Sequence, residues 1–230
     1  MRSFFSAHSM LFMISLAAII NFDWLMQMKK RLSMNAFSVL ISTILFECYI
    51  LLSVMTFAVV ETGFDFSKFG NRSLFGAVFL VPLGLWIEAR LIKRDVAEVM
   101  DVFSIPAVVT ALFARVNCLI AGCCIGEVIT GTQRRWPTRE MEILYYVIFL
   151  LIFAPRVFQR KTSGEVYPIC MIAYGVVRFI LEFFRETDRA ESLFHLPHIW
   201  ALISIGVGFI LLARRKQRNG PKRVSVKNNL

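Results

Sequence analysis

Charge, cysteine and glycine are all scarce in this chain. Charged residues make up 18% of the 230, against about 25% in a typical soluble domain. An ordinary soluble globule therefore fits poorly. Five cysteines are too few for a disulfide-stapled secreted miniprotein. Internal repeats and low-complexity runs are absent, and so is any linker long enough to separate a second domain. Hydrophobic residues are abundant: 57% of the chain, including 22 Phe, at a mean hydropathy of +0.63. That aromatic content excludes intrinsic disorder. The class that remains is all-α, a polytopic transmembrane helical bundle.

A bilayer core about 30 Å thick needs about 20 predominantly apolar residues per helix. Seven stretches qualify: 4–26, 36–60, 74–92, 102–121, 141–158, 166–184 and 199–213. The last is short and contains two glycines, which makes it the weakest. Only Arg2 precedes the first stretch, and Met28-Lys29-Lys30-Arg31 follows it in place of a small-residue cleavage site. The first stretch therefore reads as a retained helix rather than a signal peptide. Residues 1–213 form the transmembrane unit and 214–230 a basic tail.

The net charge of +10 raises the question of nucleic acid. Its placement answers for a membrane instead. Sixteen of the 26 Lys and Arg follow the odd-numbered spans, eight lie on the other side, and Arg115 and Arg178 lie within spans. The positive-inside rule then sets the N-terminus outside and the C-terminus in the cytoplasm, with no nucleic-acid partner. The tail reads as a solvated charge run that also suits anionic lipid headgroups.

Charges inside a span cost about 2.5–3.5 kcal/mol each on insertion scales and point to function. Arg115 stands in the fourth span, and Arg178 and Glu182 in the sixth. Tyr174, Arg178 and Glu182 are four residues apart and share one helix face. Two readings stay open. Arg178 and Glu182 neutralise each other and fix helix packing, or they belong to a pocket that opens to lipid and holds an anionic headgroup. One internal Glu for two arginines leaves a surplus positive charge. A planar guanidinium fork suits a phosphate.

Around Gly122 the chain reads RVNCLIAGCCIG (115–126), with two glycines flanking a cysteine pair. The polar stretch 127–140 that follows is expected to lie as a loop over the pocket mouth on the outer face. Cys48 and Cys170 fall in apolar spans and read as small core residues. Cys118, Cys123 and Cys124 have three readings: small packing residues (the preferred one), a disulfide, or nucleophilic thiols that need a basic neighbour. A metal centre is not expected, because no second Cys or His pair is present. His8 reads as a polar residue near the outer boundary, or as part of a proton-accepting site.

Three segments in this order carry a resemblance: RVNCLIAGCCIG, WPTREME (136–142) and AYGVVRFILEFFRETD (173–188). They resemble the prolipoprotein diacylglyceryl transferases, which carry a glycine-and-arginine signature at a span end, an HPxQLYE-like segment and a YGxxRFxxEFFR-like stretch. The resemblance covers residues 73–188 well and the N-terminal third loosely. It implies an enzyme of the bacterial cytoplasmic (inner) membrane, working without a cofactor. That enzyme moves diacylglycerol from phosphatidylglycerol to a lipobox cysteine of an exported prolipoprotein and releases glycerol phosphate. It implies catalytic roles for Arg115, Arg178, Glu182 and Tyr174, with Arg178 holding the donor phosphate and Arg115 assisting at the headgroup. Glu142 then matches the acidic end of the second segment and Gly126 the last glycine of the first, and the resemblance implies a place on the substrate side for both. Cys118 and Cys123 stand where the family often has Asn and Glu, and are expected, with His8, on the substrate side. Trp136, Arg139 and Met141 replace His, Gln and Tyr, and Phe75 stands at a position proposed for a base. The departures fall on the acceptor side, so a different extracytoplasmic acceptor, or a non-catalytic phospholipid-binding relative, remains an alternative.

Overall fold

A computed structural model describes the backbone of residues 2–68, 71–162, 164–185 and 195–219; side chains at 2–8, 68 and 218–219 lie outside the description. Among the described residues the chain forms seven α-helices: α1 (Arg2–Leu32), α2 (Ala36–Glu61), α3 (Phe75–Leu91), α4 (Val96–Ala121), α5 (Thr138–Phe158), α6 (Val166–Glu182) and α7 (Leu196–Asn219). Two isolated bridges, Gly126 with Arg185 and Val128 with Arg135, are the sole β-type pairings among the described residues. The expected helical bundle is what folds.

The expected boundaries shift at several ends. α1 continues to Leu32, so Lys29, Lys30 and Arg31 sit in its last turn. α4 begins six residues early, at Val96. The seventh stretch, which looked weakest, extends to Asn219 and is 24 residues long. Its basic end is tied by Arg215 Nη2 to Asp95 Oδ2 at 3.6 Å, while residues 220–230 of the expected tail lie outside the described residues. Among the described residues, five helices are long and apolar enough to cross a membrane. α3 and α6 have 17 residues each, or about 25 Å of helix at 1.5 Å per residue. Leu11, Ile19, Phe37, Leu45 and Leu151 are exposed on α1, α2 and α5. In an apolar solvent that arrangement costs nothing, whereas in water it would be an aggregation surface.

Inside a bilayer each backbone polar group needs an internal partner. The helix prolines show how this chain meets that demand. Pro106 has no N–H for the Val102 carbonyl one turn back, and Trp24 Nε1 donates to that carbonyl at 3.1 Å. Pro82 leaves the Val78 carbonyl free in the same way, and Tyr167 Oη donates to it at 2.5 Å. Polar side chains also tie helices together. Asn21 Nδ2 (α1) donates to Glu47 Oε1 (α2) at 2.6 Å, and Thr110 Oγ1 (α4) donates to the same oxygen at 3.0 Å. Buried Asp101 accepts from the backbone N–H groups of Gly164, at 2.7 Å, and Val166, at 2.9 Å, and so fixes the start of α6.

α6 and α7 pack closest of all. A Cβ on Gly175 would lie 2.8 Å from the Ala201 carbonyl oxygen, and one on Gly208 would lie 2.9 Å from that of Pro168. Small residues let the two backbones approach, which is how helices associate without a hydrophobic drive. Between α2, α3 and α7 an aromatic cluster (Phe57, Phe75, Phe79, Trp200) fills the interior, with Tyr174 set edge-on against Phe75.

Candidate functional site

The helices leave a cavity of about 480 Å³ near the end of the bundle where α4 and α6 finish, a volume suited to part of a lipid-sized ligand. One part of its wall is apolar, with Met13, Ile14, Ile50 and Val54 from α1 and α2. Another part is basic, with Arg115, Arg178 and Arg185. A cavity with an apolar wall and a cationic head has the polarity of an anionic lipid.

The arginines belong to a chain of alternating charge. Arg115, near the end of α4, pairs through Nε with Glu142 Oε2, on the second turn of α5. The other Glu142 oxygen lies 3.4 Å from Arg178 Nη1 on α6. Arg178 Nη2 reaches Glu182 Oε2 at 2.8 Å, one turn further along α6, and Arg185 Nη1 lies 3.8 Å from that same oxygen. Arg115, Arg178, Glu142 and Glu182 are all less than a tenth exposed. Arg115 and Arg178 thus meet on one carboxylate, and the Arg178–Glu182 pair of the first reading forms beside the cavity of the second.

The charge count is corrected. A second carboxylate, Glu142, lies inside the bundle between the arginines, so the surplus expected from a single internal Glu is not found. The fold instead gathers three guanidiniums, Arg115, Arg178 and Arg185, at one part of the wall against Glu142 and Glu182. Arg72 and Glu61 also line the cavity, and Glu47 lines it where Asn21 and Thr110 hold its carboxyl group. Burial, and then the like charges of Arg178 and Arg115, pull Arg185 below its ordinary pKa. An anion in the cavity would relieve that crowding.

Two phenols sit beside this cluster. Tyr174 lines the cavity, and the Tyr174 and Tyr146 hydroxyls are buried with no hydrogen-bond partner among the described residues. A buried hydroxyl without a partner is costly, so Tyr174, on the cavity wall, is a donor available to a ligand oxygen. Phe75, at the position where a base was proposed, is 2% exposed with its ring centroid 5.6 Å from that of Tyr174. It supplies wall and no proton chemistry.

Gly122 shapes the mouth. It ends α4 in the left-handed region, at φ +71°, as helix-terminating glycines do. The reversal brings Cys123 N within 3.2 Å of the Cys118 carbonyl oxygen. All five cysteines are free, and the sulfurs of Cys118, Cys123 and Cys124 lie within 4.8 Å of one another on the cavity wall. The hydrogen bond from the Cys118 thiol holds the Cys124 thiol below its ordinary pKa; burial opposes this, and Arg185 and Arg115 add to it. The expectation of no metal centre rested on the absence of a second ligand pair. The fold instead supplies three thiols from one reversed helix end. Cys48, expected in the core, is exposed on α2.

The segment after Cys124, expected over the mouth, is tied to the ends of α4 and α6, and none of residues 125–140 lines the cavity. Glu127 N donates to the Phe184 carbonyl at 2.9 Å, and Arg139 Nη1 to that of Cys123 at 3.4 Å. Gly126, expected on the substrate side, is instead part of this scaffold: a Cβ there would overlap the Trp136 carbonyl oxygen. His8 lies on α1 with its side chain outside the described residues, but its neighbour Ser9 donates to Asn117 Oδ1 at 2.8 Å and brings the start of α1 to the cavity. Sequence reasoning missed Arg185, Asn117 and Glu61 as cavity residues. A third arginine three residues after Glu182 was the available signal for Arg185.

Comparison with known proteins agrees with this geometry. Over part of its length the chain is 28% identical to the phosphatidylglycerol–prolipoprotein diacylglyceryl transferase of Chlorobaculum tepidum, covering 66% of this chain and 58% of the relative. It is 27% identical to the enzyme of that name from Dehalococcoides mccartyi, over 65% and 64%. It is also 27% identical to the Clostridium perfringens transferase numbered 2, over 70% and 69%. The chain thus spans about 60% of the length of the first two relatives. The family model described as prolipoprotein diacylglyceryl transferase matches residues 12–214, and this chain belongs to that family.

Proposed function

We propose that the protein transfers a diacylglyceryl group from phosphatidylglycerol to the cysteine thiol of an exported prolipoprotein, at the outer face of a bacterial cytoplasmic membrane. The observation that carries this reading is the triad of guanidiniums, Arg115, Arg178 and Arg185, against two carboxylates beside a cavity with an apolar wall. The charge bias supports the orientation. The chain segments at 29–31, 90–94 and 156–161 carry nine basic residues, all toward the bundle end opposite the cavity.

The donor's acyl chains enter along Ile14, Ile50 and Val54, and its phosphate lies against Arg178 with Arg115 and Arg185 beside it. The acceptor sulfur attacks a glycerol carbon. One S–C bond forms, the C–O bond to phosphate breaks, and its electron pair leaves on glycerol phosphate. Arginines already fixed by Glu142 and Glu182 meet that growing charge without reorganising. Tyr174 donates to a phosphate or glycerol oxygen. The thiol must lose its proton before attack, and Phe75 cannot take it.

Purified protein, labelled phosphatidylglycerol and a lipobox peptide test the reading. A thioether-linked peptide is expected. Phe75, Cys118, Cys123 and Trp136, where relatives of this type carry polar or basic groups, favour a second reading with another extracytoplasmic acceptor. Release of glycerol phosphate without modified peptide would select that one.

A further inference from the structure

We propose that Cys118, Cys123 and Cys124 form a three-thiolate site for Zn²⁺ on the cavity wall, with its fourth position open to the acceptor thiol. The second half rests on the transferase reading above; the site itself does not.

Three sulfurs within 4.8 Å of one another are close to what one ion requires. Zn–S bonds of about 2.3 Å in a tetrahedron set sulfurs about 3.8 Å apart, and small side-chain rotations close the difference. The backbone already enforces the approach. Gly122 reverses the chain, Cys123 N is held to the Cys118 carbonyl oxygen, and Cys124 adopts a positive φ of 56°. That is a conformation a non-glycine residue takes when its surroundings over-determine it.

The electrostatics suit the ion. Three thiolates and Zn²⁺ sum to −1, and Arg115 and Arg185 share the cavity with them. Three protein ligands with one open position mark catalytic rather than structural zinc, and soft sulfur donors favour zinc over hard cations. All three residues line the cavity, so the open position faces the space the donor lipid would occupy.

Such a site solves the problem left by Phe75. Coordination lowers the pKa of a bound thiol, so a thiolate is available with no side-chain base. The acceptor S–H proton goes to bulk water on binding. The sulfur then forms its bond to glycerol carbon as the phosphate ester C–O bond breaks, and the ion undergoes no redox change.

The test uses full-length protein purified in detergent under reducing conditions, with Zn²⁺ and then Co²⁺ as probes. One metal per chain is expected by elemental analysis, with a thiolate-to-cobalt charge-transfer band in the Co²⁺ form. Cys118→Ser, Cys123→Ser and Cys124→Ser should each lose the band and at least tenfold of the zinc affinity, whereas Cys48→Ser should keep both. No zinc uptake by the reduced wild-type protein, or a disulfide among the three that persists under reduction, overturns the site. Transfer to a peptide that survives complete removal of zinc overturns its role while leaving the transferase reading intact. Zinc binding with no transfer to any thiol keeps the site and removes that reading.

Discussion

Arg178 Nη1 lies 3.4 Å from Glu142 Oε1, and through its other oxygen the same carboxylate holds Arg115. Three helices, α4, α5 and α6, therefore meet on one buried carboxyl group. Glu142 sets the spacing of the two guanidiniums and neutralises only part of their charge.

Glu142→Gln should destabilise the bundle strongly. Removing one partner of a buried ion pair costs about 3–5 kcal/mol, because the other partner stays buried and uncompensated. Thermal unfolding in detergent should show a large fall in Tm. Combined with Arg115→Met the loss should be less than additive, since the guanidinium left unpaired by the first change is gone in the second. A fully additive pair would mean that the two side chains do not interact.

Tyr167→Phe should cost about 1–2 kcal/mol, by leaving the Val78 carbonyl without its donor. Pro82→Ala restores a backbone N–H to that carbonyl. In the double variant most of the loss should return, read as Tm. If Tyr167→Phe is equally harmful in both backgrounds, the hydroxyl acts elsewhere.

Gly208→Leu should separate α6 from α7, as its side chain meets the Pro168 carbonyl and Ile172. Overpacking costs about 1–3 kcal/mol. Gly206→Leu, where a Cβ meets nothing within 4 Å, is the control and should leave Tm within about 1–2 °C of wild type, as a change of at most about 0.5 kcal/mol does at this size.

Much of this architecture was legible in the sequence, because a helix that faces lipid must be apolar along its whole length. What was not legible has local causes. Hydropathy stops at the first arginine, but α7 continues through Arg214 and Arg215, since a charged side chain ends the apolar run without ending the hydrogen-bond ladder. Arg178 and Glu182 were found because one helix face carries both. Glu142 was assigned to the substrate side by the resemblance alone, as the acidic end of the second segment, and only packing shows it reaching two other helices. The three thiols were read as neighbours near the outer surface, but the approach of all three sulfurs to within 4.8 Å depends on the left-handed Gly122.

The most direct test is transfer from labelled phosphatidylglycerol to a lipobox peptide by wild type, Arg178→Ala and Arg178→Lys, compared at matched folded protein. Arg178→Ala should lose at least about 100-fold in rate. Arg178→Lys should recover little of it, because an ammonium cannot present the planar fork to a phosphate while also meeting Glu142 and Glu182. Wild-type turnover by the folded Arg178→Ala protein would contradict a phosphate-holding role for this cluster.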